Sequence, residues 1–342
     1  MEKIDNLTLE ELQEKIIAIN EPSYKAKQIY EWIHQKNLTS FDDMSNIAKK
    51  TRDVLKNNFE FTNISILERF DSNLDETKKY LLLLEDGNVI ETVFLKYKYG
   101  NTLCISSQVG CKMGCVFCAS TKKGFIRNLT VAEMLNQIYL VQKNTGERIS
   151  NIVIMGTGEP LENYDNILKF FKIINDEKGQ NISLRKITMS TCGVVPKIYE
   201  LADLDLQITL AISLHAATQN KREEILPIAR KYSLDELKKA CEYYVNKTNK
   251  RLTFEYILID GFNDTYEDAM NLCKYLKGIL CNVNLIPYNT IKESNISSST
   301  DNNIEKFKKI LTDNGMYATV RRELGSDINA ACGQLRNDFL SK

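Results

Sequence analysis

Residues 102–120 read TLCISSQVGCKMGCVFCAS, and the rest of the architecture can be worked out from this stretch. Its first half is a short β-rich run. It then passes, with no helix-forming interval, into Cys111, Cys115 and Cys118, spaced C-x3-C-x2-C and flanked by Gly110 and Gly114. Toward the C-terminus, further β-rich runs stand at 151–158 (NIVIMGTG), 186–193 (KITMSTCG), 207–216 (QITLAISLHA), 252–261 (LTFEYILIDG) and 283–289 (VNLIPYN). Helical stretches alternate with them, as at 130–144, 164–177, 233–247 and 265–278. Six βα units in succession predict an α/β fold with a parallel sheet, open or closed as a partial (β/α)6 barrel. Functional residues of such folds collect where the C-terminal strand ends meet their loops. The three cysteines stand at the first such place. A last run, MYATVRRE (316–323), leads to a tail containing ACGQLR (331–336).

Upstream the character changes. Residues 61–100 predict strands, with hairpin turns at Asp86-Gly87-Asn88 and Gly100-Asn101. Residues 1–60 predict a small helical domain: Leu9, Leu12, Ile16, Ile17 and Ile19 fall at near-helical spacing. Thr8 with Glu11 forms a capping-box pattern, and Ser40 and Asp42 offer further N-caps. We therefore divide the chain into a small helical part (1–60), a β-rich segment (61–100) and an α/β barrel (101–342).

Composition narrows the chemistry. Lys plus Arg and Asp plus Glu number 45 each in 342 residues, so no net field draws nucleic acid to the whole molecule. The N-terminus lacks an apolar core suited to a signal peptide, and no stretch has membrane-helix length, which predicts a soluble, cytoplasmic protein without membrane attachment. Nine cysteines without an export signal favour thiol or metal chemistry over a disulfide framework. Only two histidines, His34 and His215, nearly exclude a His-rich zinc site. Three soft thiolates on a short loop suit iron–sulfur or zinc. A structural zinc takes a fourth Cys or His nearby, and none lies in this loop. Three ligands fit better with a four-iron cluster whose fourth iron stays open.

C-x3-C-x2-C after a first barrel strand, with Phe117 before the last cysteine, resembles the radical S-adenosylmethionine superfamily. The similarity extends through GFIRNL, MGTGEPLEN, MSTCGVVP, ISLHA, LIPYN and ACGQLR, in order, to the adenine-C2 RNA methyltransferases of the RlmN type, over roughly residues 80–340. The resemblance implies a 4Fe-4S cluster on Cys111, Cys115 and Cys118, with S-adenosylmethionine chelating the open iron and yielding a 5′-deoxyadenosyl radical on reduction. A flavodoxin- or ferredoxin-like donor would supply the electron.

The GTGEP turn (156–160) by itself offers close backbone approach through its glycines and a carboxylate able to accept from an ammonium or a ribose. The resemblance places Gly158, Glu159, Ser190, Ser213, Leu214, His215 and Asn289 around the cofactor. It also implies that Cys332 is S-methylated by one S-adenosylmethionine and activated by a second. The resulting carbon radical would add to C2 of adenine, an electron-poor carbon that cannot attack a sulfonium itself. Release through Cys104 would leave a Cys104–Cys332 disulfide. Glu91 matches the proposed base for the C2 proton. It lies among Val89, Ile90, Val93 and Phe94, an apolar setting that strengthens a carboxylate as a base. Cys192, Cys241, Cys273 and Cys281 are expected to be small core residues.

The implied substrates are adenine 2503 of 23S rRNA and adenine 37 of certain tRNAs, with Cfr-type methylation at C8 of the same rRNA adenine as the sibling activity. A metal-bearing RNA-binding module without catalysis is the alternative of another class, and it leaves Cys104 and Cys332 without a purpose. Between Thr92 and Ala132 there is no acid, while Lys96, Lys98, Lys112, Lys122, Lys123 and Arg127 alternate with Tyr97, Tyr99, Phe117 and Phe125. That stretch predicts RNA phosphate contacts and base stacking. The basic run 25–36 offers a further RNA contact.

Overall fold

Thr8 begins a helix as its spacing predicts. Its hydroxyl accepts from the Glu11 amide at 3.3 Å, and the Glu11 carboxylate accepts from the Thr8 amide at 2.8 Å. In the computed structural model, which describes residues 1–289 and 296–335, this box caps α1 (Leu9–Ala18), preceded by strand β1 (Glu2–Lys3). Helix α2 (Tyr24–Tyr30) runs on into a π-helical turn, Glu31–Gln35. Ser40 caps only a short 3-10 turn, Phe41–Asp43, and α3 (Lys49–Asn58) starts from Ala48 instead. Strand β2 (Phe59–Glu60) then pairs parallel with β1.

Strands β3 (Ser65–Asp71), β4 (Lys78–Leu83), β5 (Val89–Tyr97) and β6 (Gly100–Cys104) form an antiparallel meander. The β5–β6 turn is Lys98–Tyr99, because Tyr97 already pairs with Gly100, so the expected Gly100-Asn101 turn lies within the strand. Gly100 has φ +133°, and a Cβ there would lie 2.3 Å from the Ser150 hydroxyl. Its glycine allows close approach rather than a turn.

From β6 the chain makes a small hairpin, β7 (Gln108–Gly110) with β8 (Phe125–Asn128), and enters α4 (Val131–Thr145). Then follow β9 (Asn151–Ile154), α5 (Tyr164–Asn175), β10 (Ile187–Thr191), α6 (Val195–Asp203), β11 (Thr209–Ser213), α7 (Gln219–Ile225) and α8 (Leu234–Thr248). The order ends with β12 (Leu252–Leu258), α9 (Tyr266–Leu276), β13 (Cys281–Pro287), α10 (Asp301–Asp313) and β14 (Ala318–Val320). Among the described residues one ten-stranded sheet runs β14-β13-β12-β11-β10-β9-β6-β5-β4-β3. It is parallel from β14 to β6 and antiparallel beyond, so the β-hairpin extension continues the barrel's own sheet.

Strand alternation divides the two faces. Ile187 and Met189 of β10, Leu210 and Ile212 of β11, and Phe254 and Tyr256 of β12 are buried in the main core. The intervening Ser190, Ser213, Glu255 and Ile257 face a cavity on the inner side. The N-terminal helices rest on α4 through polar contacts. Asp5 accepts from the Asn136 amide (3.0 Å) and the Thr62 hydroxyl (3.0 Å), the Asn6 side chain accepts from the Ala132 amide (2.8 Å), and His34 Nδ1 meets the Tyr139 hydroxyl (2.9 Å).

Candidate active site

The cysteine loop leaves β7 and returns through β8 because Cys111 N donates to Gly124 O at 3.0 Å, and a Cβ on Gly110 would lie 1.9 Å from that carbonyl oxygen. The loop is thereby folded over the inner mouth of the sheet. Cys111, Cys115 and Cys118 line one cavity with Gly158, Glu159, Ser190, Ser213 and His215. Eight residues singled out from the sequence therefore converge, each from the C-terminal end of a strand or its loop.

Burial pushes the Cys111 thiol up to about 12, holds Cys115 well above the ordinary thiol value and raises Cys118; the Cys118 thiol adds to the rise of Cys111 and Cys115, and Cys332 to that of Cys118. Three such neighbours cannot ionise together without a strongly charged cation, which suits a metal cluster. Among the described residues no three His, Cys, Asp or Glu side chains are set to share a single ion. A four-iron cube takes one thiolate at each of three corners, so its ligands stand farther apart than those of one zinc. The donor set fits the cube.

Glu159 is buried, and burial raises its carboxyl above the ordinary value. Its oxygens accept from the Cys192 amide (2.8 Å) and the Leu161 amide (3.0 Å), while its own amide donates to Gln108 Oε1 (2.9 Å). The carboxylate is thus fixed at the cavity wall. Gly158 has φ +111°, and a Cβ there would lie 2.6 Å from the Gln108 side chain. A Cβ on Gly156 would meet the Ile105 carbonyl at 2.7 Å. The neighbour these glycines admit is the strand carrying the cysteine loop, which the sequence alone did not reveal.

His215 sits at φ 59°, its ring edge-on to Phe117 with centroids 4.7 Å apart. Burial lowers its pKa to about 3, so the ring is neutral. Nδ1 accepts from the Ile257 amide at 3.0 Å, so Nε2 carries the proton and acts as a donor. Ser190 and Ser213 exchange a hydrogen bond at 3.1 Å on the inner face. Leu214 does not join them. Strand alternation turns its side chain into the core, where it is fully buried, leaving only its backbone near the site.

A second cavity adjoins the first. Cys104 and Asn289 line it, and Cys332, Met155, Ile286 and Arg321 line both. Asn289 therefore stands on the Cys332 side rather than in the cysteine-loop cavity, donating to the Cys332 carbonyl at 3.1 Å. Burial pushes Cys104 up to about 12, and burial likewise raises Cys332 against the pull of the Arg321 cation. Both thiols are free. Val93 pairs with Cys104, so Glu91, two residues along β5, shares the face that bears Cys104. Glu91 is buried, but its surroundings are not purely apolar: the Lys79 ammonium lies 3.7 Å from its carboxylate. Glu255 escaped the sequence reading, although a lone acid in an apolar strand was a signal. Arg321 reads in the sequence, with Arg322, as an addition to the RNA-binding stretch just before Cys332; in the fold its side chain lines both cavities instead.

Tertiary contacts revise the basic stretch. Lys96 pairs with Glu76 (2.9 Å) and Glu147 (3.2 Å), Lys112 with Glu162 (2.7 Å), and Arg127 with Asp86 (2.6 Å) and Glu133 (2.8 Å). Among the described residues, acids outside the stretch thus pair with Lys96, Lys112 and Arg127. Arg336, the last residue of the ACGQLR motif, lies outside the described residues.

Residues 105–273 match the radical SAM superfamily, and residues 3–61 match the ribosomal RNA large subunit methyltransferase N-terminal domain. The whole fold is similar to a radical SAM methyltransferase from Sphaerobacter thermophilus, with TM-score 0.95 and 40% identity, covering 99% of this chain and 100% of that one. Together with the cysteine cavity this defines a radical S-adenosylmethionine methyltransferase, whose chemistry rests on a 4Fe-4S cluster and S-adenosylmethionine. The chain is also 53% identical to a probable dual-specificity RNA methyltransferase RlmN of Clostridium novyi, over 99% of both proteins. It is 56% identical to one of Clostridium botulinum strain Eklund 17B, over 99% of this chain and 98% of that protein. The chain belongs to the RlmN family of RNA methyltransferases. Among the described residues no helix is long and apolar enough to cross a membrane.

Proposed function

We propose that the protein methylates C2 of adenine 2503 in 23S rRNA and of adenine 37 in tRNAs, using two S-adenosylmethionine molecules per turnover. One observation carries this reading: Cys332 lines both the cavity of the three cluster cysteines and the cavity of Cys104. Cys111, Cys115 and Cys118 hold the cluster, while Gly158, Glu159, Ser190, Ser213, His215 and the Leu214 backbone position the cofactor. Asn289 supports it indirectly by fixing the Cys332 loop. When bound, cluster and cofactor supply the methyl group and the radical chemistry that activates it.

Cys332 receives the methyl on sulfur, and its activated carbon bonds to C2 of adenine. Glu91 takes the C2 proton, and the one electron the adduct must lose would return to the cluster that Cys111, Cys115 and Cys118 hold. Cys104 then attacks Cys332 Sγ; the S–C bond breaks, a proton completes the methyl group, and a Cys104–Cys332 disulfide remains. Residues 1–60 serve as an accessory RNA-contacting domain, 61–100 as a β-rich link and 101–342 as the catalytic barrel. The enzyme works in the cytoplasm, fed by a flavodoxin- or ferredoxin-like donor.

Mass spectrometry of nucleosides from treated 23S rRNA and tRNA tests this, with 2-methyladenosine as the expected product. Finding 8-methyladenosine instead would reassign the chain to the C8 activity. Cys104→Ala should accumulate a protein–RNA adduct and Cys332→Ala should form none, while Cys118→Ala should lose the iron.

A further inference from the structure

Tyr97 and Tyr99 stack face to face, with centroids 4.9 Å apart and planes 9° from parallel. Tyr97 lines the cavity that holds Cys104 and Cys332, whereas Tyr99, in the two-residue turn, is 71% exposed. Such exposure leaves the outer face of the Tyr99 ring open to solvent. We propose that this pair is a platform for an unpaired base of the RNA, beside the adenine being methylated. The inference deepens the proposed function and rests on it.

Three features favour a base as the occupant. First, the platform is continuous with the reaction cavity. Val93 pairs with Cys104 and Tyr97 with Gly100, so Tyr97 lies along the face that carries the thiol and lines the same cavity. Tyr99, stacked on Tyr97 from the turn, stands one ring farther out, where a nucleotide flanking the reacting adenine would lie. Second, the charge is complementary. Lys98, between the two tyrosines, and Arg322, on the cavity rim, are exposed, and neither has an ion-pair partner among the described residues. They can take phosphates while the ring takes a base. Third, the target base must be unstacked before C2 can be reached. A pre-stacked aromatic surface offers its neighbour a replacement for the lost stacking partner.

The test uses a 23S rRNA fragment that carries 2-aminopurine next to the target adenine. Wild type and Tyr99→Phe should quench its fluorescence on binding, and Tyr99→Ala should not. In Tyr99→Ala the KM for RNA should rise about tenfold, the loss expected for one base–aromatic stack. Its kcat, and the extent to which Cys332 is S-methylated before RNA is added, should not change. Wild-type quenching and KM in Tyr99→Ala overturn the platform and leave the proposed function standing. Loss of Cys332 methylation in that variant gives the pair a structural role and also overturns the platform. Absence of methyladenosine from the wild-type reaction overturns both.

Discussion

Glu91 shows how far a single side chain can be judged from sequence. Its apolar neighbours along β5 are real, but Lys79 reaches it from the adjacent strand, 3.7 Å away. Strand neighbours are invisible in sequence because pairing joins positions far apart in the chain. Glu91→Gln keeps the shape and removes the proposed base, so methylation should fall about 100-fold or more while Cys332 is still S-methylated. Single-turnover assays read out separately for S-methylcysteine and methyladenosine check this. Gly158 makes a different point: its φ of +111° and the 2.6 Å approach to Gln108 bar any side chain. Gly158→Ala should cost about 1–3 kcal/mol of stability, measured by urea denaturation, before any effect on the cofactor. The cysteine spacing was legible because loop ligands close in sequence need no tertiary information.

At the level of elements, the segment bearing Cys332 is moored at several points. Gly325 N donates to Asp75 at 3.0 Å, and Asp327 accepts from the Ser72 hydroxyl (2.7 Å) and the Asn73 amide (2.8 Å). On the other side, Ala119 N, next to Cys118, donates to Gly333 O at 2.7 Å. The β3–β4 connection therefore holds the Cys332 segment against the barrel. Burial pushes the Asp75 carboxyl up, but its hydrogen bonds from Thr77 and Gly325 outweigh burial and hold it below the ordinary value. The Ser72 and Asn73 bonds hold Asp327 low as well. A depressed carboxyl stabilises the fold above the unfolded-state value and ceases to do so as pH falls through the folded one. Amides at 325–331 should therefore exchange faster, relative to intrinsic rates, as the medium is acidified through that range. Asp75→Ala with Asp327→Ala should produce the same loosening at neutral pH, with slower Cys332 methylation. Unchanged protection in the double variant would remove the mooring role. This clamp escaped the sequence because its partners are about 250 residues apart.

For the whole molecule, the joint between the N-terminal helices and the barrel combines a continuous apolar core with buried polar groups. His34 is enclosed there, and burial lowers its pKa to about 3. The unfolded chain binds that proton near pH 6.5, so stability is lost progressively as pH falls from there toward about 3. His215 adds loss of the same sign. Urea midpoints should drop over this range, and His34→Gln should flatten the drop; an equal drop in that variant would exclude His34 as a source. The alternation of strands and helices, the N-terminal cap, the cluster loop and the family were all legible in the amino-acid order, since each is written in residues within a few positions of one another. Folding in three dimensions was needed to set Cys332 between two cavities, to turn Leu214 away from the site and to bring acids from outside the basic stretch onto Lys96, Lys112 and Arg127. One cause underlies all three: strand pairing and loop closure bring together groups whose separation along the chain carries no trace of their distance in space.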